Sequence, residues 1–342
     1  MSIEDEIKKY AARSLKRWHT PGHKGLLCSG DLTEIDDGEL FPFDSVERAE
    51  REAAKILGGK VCRFLLGGSS QGIKAAIMSV GGDVIAPVSH HRCADEGAAL
   101  ARVKLHVMRQ EAADDGLFDP PTPEEVERAM DEFPDAKAVL IVSPDYYGRT
   151  ADATAIEKLV HGRGLMLIAD SAHGAHFPFR RDLFKDSFAA TADFCVMSAH
   201  KTLFSPTMTS FMTLNNSAMI SALERNLRLL GTTSPSYPML AAIENAIERA
   251  CVDAPKYDGL KVACNELSAE VATRKSDDFT RIVVDAAAYG LSGKQLFDRL
   301  LGLGHAAEMY DRRYVVFIVT AADTPKDVRS LKESILKVTH ER

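Results

Sequence analysis

Short apolar runs, almost unbroken, recur along this chain: DVIAPV (83–88), KAVLIVSP (137–144), LMLIAD (165–170) and DFCVMSA (193–199). A strand with one wet face alternates apolar and polar residues, whereas a strand covered on both faces does not need to. These runs are also too short for typical helices. Between them lie helical stretches. VERAEREAAKIL (46–57) places apolar residues at 46, 49, 53, 56 and 57. DEGAALARV separates DVIAPV from the strand KLHVMR (104–109). Thr122, Pro123 and Glu125 form an N-cap, first turn and capping box for the next helix, and Thr154 with Glu157 suggests another, running to about His161. RFLL runs through glycines and serines into a helix, and SFMTL (210–214) adds a further strand. Alternation of this kind specifies the α/β class, with a mainly parallel sheet covered by helices.

After Asn215 the pattern changes to helices over 217–230, 238–254 and 259–274, followed by TRIVVDA, YVVFIVT and a capped final helix, a small α+β ending. The expected organisation is an N-terminal segment (1–45), a large domain (46–240) and a small C-terminal α+β domain (241–342). A net charge of −7 without a basic block argues against nucleic acid as a partner. No apolar run approaches membrane-spanning length, and the charged amphipathic N-terminus lacks a signal peptide's apolar core. Six cysteines without CxxC spacing fit a reduced, cytoplasmic protein.

Ligands of open α/β sheets gather beyond the carboxyl ends of the strands. Four such ends here carry chemistry. GGSSQG (67–72) precedes a helix, where backbone N–H groups with Ser69 and Ser70 could hold a phosphate; equally, it is a Gly-Ser turn with a capping serine. SHHR (89–92) offers a histidine that either lies on the surface or covers an aromatic ligand. Asp170 ends a strongly apolar strand and needs a cation or donor. His173 and His176 have the i, i+3 spacing of a metal pair, but without a clear third ligand or an HExxH pattern no metal is expected. The fourth end, SAHK (198–201), holds Lys201 among apolar and hydroxyl residues, either snorkelling to water or kept as a desolvated nucleophile. Taken together, a phosphate cradle, a ring-covering histidine, a buried carboxylate and an amine are what pyridoxal 5′-phosphate (PLP) requires. Lys201 would form the Schiff base and Asp170 would pair with the pyridine nitrogen.

The chain also resembles a known family, the ornithine/lysine/arginine decarboxylases of fold-type I, in their bacterial biosynthetic branch. The resemblance runs through HTPGHKG (19–25), DLTEID (31–36), FLLGGSSQGI (64–73), VSHHRC (88–93), DSAHGAH (170–176), SAHKTL (198–203), TSPSYP (233–238) and the small-domain ending. It implies a fold-type I, transferase-like architecture with a seven-stranded sheet, PLP in the large domain, and polyamine biosynthesis as the context. Lys201 would be the cofactor lysine and Asp170 the pyridinium partner. His91 would stack on the ring, and His173 would lie near its O3′ side. Ser69, Ser70, Ser198 and His200 would hold the phosphate. Ser234 and Ser236 lie in the segment that reaches the neighbouring subunit's site, so a homodimer with sites at its interface is implied. The chain departs from the pattern at Gly67 or Gly68 (Asn in the family), Val88-Ser89 (Arg-Asn) and Ser171 (Glu), and it stops where family members continue into a further C-terminal domain.

The expected activity is PLP-dependent decarboxylation of an amino acid, basic by resemblance (ornithine, lysine or arginine), giving an amine and CO2. Asp31, Glu34, Asp36 and Asp37 are candidates to meet the substrate's distal cation, or else form a solvated acidic loop. Competing readings are another PLP reaction at Cα (aminotransferase, lyase or racemase) and a non-catalytic relative.

Overall fold

A computed structural model describes residues 2–13, 16–32, 44–184 and 186–340. The chain divides into two units: residues 1–143 with 151–249, and residues 144–150 with 250–342.

The first unit is built on seven strands: β1 (Val61–Leu65), β2 (Val84–Ala86), β3 (Leu105–Val107), β4 (Ala138–Val142), β5 (Met166–Asp170), β6 (Phe194–Met197) and β7 (Ser210–Leu214). Their spatial order is β1-β7-β6-β5-β4-β2-β3. Neighbours from β6 through β3 pair in parallel, and β7 runs antiparallel to both β6 and β1. A parallel crossover needs a dozen or more residues, usually a full helix. Residues 198–209 supply only the one-turn α7 (Ala199–Thr202) before the chain doubles back.

Helices α1 (Ile3–Ala11), α2 (Asp44–Leu57), α3 (Gly68–Val80), α4 (Cys93–Ala101), α5 (Pro123–Glu132), α6 (Ala153–Gly162), α8 (Ile220–Leu230) and α9 (Tyr237–Asp253) accompany the sheet. Buried residues of α3, α4 and α8 form one apolar layer with Leu65, Val84, Leu140, Ile168, Phe194, Val196 and Met212. Those of α1, α2, α5, α6 and α9 form the other with Cys62, Ile85, Val139, Ile141, Leu167, Cys195 and Phe211. Double coverage of this kind is the reason the strands carry unbroken apolar runs.

Thr122 caps α5 as the spacing predicts: its hydroxyl accepts from the Glu125 amide at 3.2 Å, and Glu125 accepts from the Thr122 amide at 2.9 Å. The cap of α6 differs. Asp152, not Thr154, accepts from the Ala155 amide at 2.9 Å. A carboxylate one residue before the first helical turn is a strong cap, and it starts the helix two residues earlier.

The second unit contains α10 (Lys256–Glu270), α11 (Gly293–Gly302) and α12 (Pro325–His340). These accompany an antiparallel sheet of β8 (Arg281–Asp285), β9 (Met309–Tyr310) and β10 (Tyr314–Ile318), ordered β8-β10-β9. Residues 144–150 belong to it through Arg149, whose guanidinium donates to Asp277 at 2.7 Å, and through the Tyr146 and Tyr147 hydroxyls, which donate to Glu308 and Asp311 at 2.7 and 2.8 Å.

Candidate active site

The carboxyl ends of β1, β2, β5 and β6 share one edge of the sheet, because these strands run in one direction. The amino end of the reversed β7 lies at the same edge. The functional candidates fall here.

Asp170 is the last residue of β5 and is buried. Its carboxylate accepts the Ala172 amide at 3.1 Å. Burial raises its pKa above the ordinary carboxylate value, opposed by that amide and by the nearby charges of Lys201 and His91. Lys201 lies in α7, directly after β6, and its Nζ is 3.0 Å from Nε2 of the buried His173. An amine and an imidazole at this separation can pass a proton between them.

His91 sits exposed just before α4, with its Nδ1 accepting the Cys93 amide at 3.2 Å. Ser69 and Ser70, half-buried, occupy the first turn of α3, which starts with no side-chain cap and no acidic residue. A helix N-terminus favours anions through its dipole, although here the Gly67 amide donates to the Gln71 side chain and the Gly68 amide to the Met208 carbonyl. Gly68 in this loop has φ +69°, and a Cβ there would meet nothing within 4 Å. The Ser198 side chain is fully buried, and its Oγ has no hydrogen-bond partner among the described residues. The His200 ring donates from Nδ1 to the Thr209 carbonyl at 2.8 Å, which fixes its tautomer.

The structure therefore brings Lys201 against His173, sets Lys201 and His91 close enough for their charges to act on Asp170, and places Ser69, Ser70 and Ser198 at the same sheet edge. Ser234 and Ser236 are not joined to this group by any hydrogen bond among the described residues. The Ser234 hydroxyl lies 3.2 Å from that of Thr232, and the Ser236 carbonyl accepts from Met239. Asp31 is 3.0 Å from Nε2 of His23. Glu34, Asp36 and Asp37 lie outside the described residues. A cavity of about 720 Å³ opens beside the start of α3, lined in part by Gly67, Gln71, Met208 and Thr232, and Lys201 and Asp170 are not among its walls.

Three further residues join the site. The Ser171 hydroxyl donates to the Ser143 carbonyl at 2.7 Å, a bond that ties the end of β5 to the end of β4. Burial, with the Asp170 charge beside it, pushes the Cys93 thiol up to about 12, although a hydrogen bond with Ser70 opposes this. Ser210 has a fully buried hydroxyl without a partner among the described residues. All three belong to motifs or strands visible in the sequence. Nothing in their spacing shows that the short β6–β7 connection turns Ser210 back toward the site.

The residues fit PLP: a buried carboxylate for the ring nitrogen, an amine beside an imidazole, and an uncapped helix start next to an unpartnered buried hydroxyl. Comparison with solved structures agrees on the fold. The lysine decarboxylase LdcF of Francisella novicida matches with a TM-score of 0.84 at 16% identity, covering 98% of this chain and 59% of that protein. A structure of SPT with PLP internal aldimine matches with a TM-score of 0.71 at 15% identity, covering 98% and 83%. The architecture is that of fold-type I PLP-dependent enzymes. Residues 29–284 match the family described as Orn/Lys/Arg decarboxylase, major domain, and the chain belongs to that family. Among curated relatives, an arginine decarboxylase of Bacillus subtilis (strain 168) is 26% identical over 98% of this chain and 76% of its own length. The uncharacterized protein YaaO of the same organism is 30% identical over 70% of this chain and 54% of its own. The chain thus spans about three quarters of that arginine decarboxylase and about three fifths of LdcF.

Proposed function

We propose that this chain is a PLP-dependent decarboxylase of a basic amino acid (ornithine, lysine or arginine), releasing CO2 and an amine. The observation that carries this is the contact of Lys201 Nζ with His173 Nε2 at 3.0 Å, on strand ends beside the buried Asp170. Family membership and the arginine decarboxylase relatives support the reaction class. PLP, when bound, supplies an electron sink for the pair left at Cα when one of its bonds breaks.

The protein residues divide the remaining work. Lys201 would hold the cofactor through its amine. Asp170 would hold a proton on the pyridine nitrogen, a pairing that its burial would strengthen. His173, 3.0 Å from Lys201 Nζ, can exchange a proton with it, and the pair would supply the acid that Cα needs. Ser69, Ser70, Ser198 and His200 would hold the phosphate. His91 is the residue we assign to the ring face.

We further propose that the active form is a homodimer in which Ser234 and Ser236 serve the neighbouring site. Ser234 bonds to Thr232, and the Ser236 carbonyl accepts from Met239 and Leu240.

The test is the near-visible absorption of the purified protein with PLP, beside Lys201→Ala, followed by CO2 release from ornithine, lysine and arginine. A borohydride-sensitive band in the wild type, missing in the variant, together with CO2 from one of these substrates, supports the reading. A wild type without such a band in excess PLP would sink it.

A further inference from the structure

Among the described residues, Thr202 in α7 has a buried hydroxyl without a hydrogen-bond partner, and so, at the end of β6 and the start of β7, have Ser198 and Ser210. The two serines are 0% exposed. A buried hydroxyl left without a partner is destabilising, so each such group needs an explanation.

Register places the two together. β6 and β7 pair up to Met197 opposite Phe211, and one further step sets Ser198 opposite Ser210. The His200 amide, donating to the Thr209 carbonyl, shows that the two segments stay paired past that point. Ser210 also pairs with Leu65 of β1. Residues directly opposite in antiparallel strands point to the same face, so Ser198, Ser210 and Leu65 share one.

That face is covered by α3. A Cβ on Gly72 would lie 2.8 Å from Leu65 Cδ1 and 2.8 Å from Val196 Cγ1, and Val196 is two residues before Ser198 on the same side. α3 follows β1 after only two residues, so it starts at the end of the sheet where Leu65, Ser198 and Ser210 lie. That start is uncapped and free of acids in its first turn, and its Gly68 amide is tied to the Met208 carbonyl, two residues before Ser210.

We infer that Ser210 is a phosphate-positioning residue: its hydroxyl, with that of Ser198, donates to the phosphate group of PLP bound at the start of α3. The inference rests on the PLP reading above and goes beyond it, because Ser210 lies outside every motif that suggested the cofactor. A phosphate monoester supplies the acceptors that both hydroxyls lack and that the helix start attracts.

The experiment compares PLP with pyridoxal, which has the same aldehyde and ring but no phosphate. Binding of each to cofactor-free wild type, Ser210→Ala and Ser210→Cys is followed by absorbance and fluorescence, alongside thermal shift with inorganic phosphate. Both variants should bind PLP about tenfold more weakly and pyridoxal within twofold of wild type, with unchanged melting temperature when cofactor-free. The Cys variant, nearly isosteric, separates loss of the donor from loss of volume. Equal weakening for both ligands would overturn the inference in favour of a packing role, and unchanged PLP affinity would overturn it outright. If the wild type binds no PLP, the function proposed above fails separately. In that case, a stabilisation by inorganic phosphate that Ser210→Ala loses would still support an anion site here, and one that the variant keeps would overturn it.

Discussion

Glu50, on α2, is a buried carboxylate outside the proposed chemistry, and its effect on stability can be worked out from its surroundings. One oxygen accepts the Phe64 amide at 2.8 Å, and the other is 3.2 Å from an Arg63 nitrogen. Arg63 is shared, because its second nitrogen meets Glu224 more closely, at 2.6 Å. One guanidinium cannot neutralise two carboxylates, and Glu224 is the more exposed of them. Burial therefore dominates and pushes Glu50 up to about 7 from 4.5, against the pull of Arg63 and the Phe64 amide. An acid whose folded pKa is raised binds its proton more tightly when folded. Its contribution is complete below pH 4.5 and is lost as pH rises toward 7. The difference between 4.5 and about 7 corresponds to roughly 3 kcal/mol. Replacing Glu50 with Gln removes the titration while keeping most of the shape. Wild type should therefore lose roughly 3 kcal/mol relative to Glu50→Gln between pH 4.5 and 7.5, measured by urea denaturation followed by circular dichroism. Taking the difference between the two proteins cancels the other titrating groups. If Arg63 instead holds Glu50 ionised throughout, the gap will not change over that range, and the reasoning is refuted.

Two other perturbations test the frame around the site. Gly72→Ala brings its new methyl within 2.8 Å of Leu65 and Val196, both packed in the core. We expect a loss of about 1–3 kcal/mol, partly offset by the better helix propensity of alanine, visible as a lower melting temperature; an unchanged one would mean that α3 can shift freely. Burial disfavours the His161 cation, but Asp193 at 2.9 Å and Glu157 at 3.0 Å outweigh that and raise its pKa above 6.5. The stability it contributes is present below pH 6.5 and lost as pH rises through the folded-state value. An NMR titration of the ring should give a midpoint above 6.5, and a midpoint at or below it would contradict the ion-pair geometry.

How far the site was legible depends on what kind of information placed each residue. Asp170, Lys201 and His91 follow parallel strands, and a parallel strand delivers its carboxyl end to one predictable edge. Runs such as LMLIAD and DFCVMSA therefore carried both the fold class and these positions. The cap of α6 was harder to place because Asp152 and Thr154 are both good caps two residues apart, and only the helix start distinguishes them. Residues 144–150 are similar: their polar groups belong with the second unit through Asp277, Glu308 and Asp311, partners more than 100 residues away.

Ser210 shows the limit most clearly. SFMTL reads as a strand, but its direction depends on the length of the connection before it. Twelve residues with a single helical turn cannot cross back over the sheet, so β7 runs against its neighbours and presents its first residue, not its last, at the functional edge. In a parallel strand Ser210 would lie at the far end from Lys201, and its buried hydroxyl would have no reason to stay unpaired. Reversal of that one strand turns a residue that reads as a strand start into a neighbour of Ser198. The same reversal leaves both hydroxyls facing α3, where a phosphate would satisfy them.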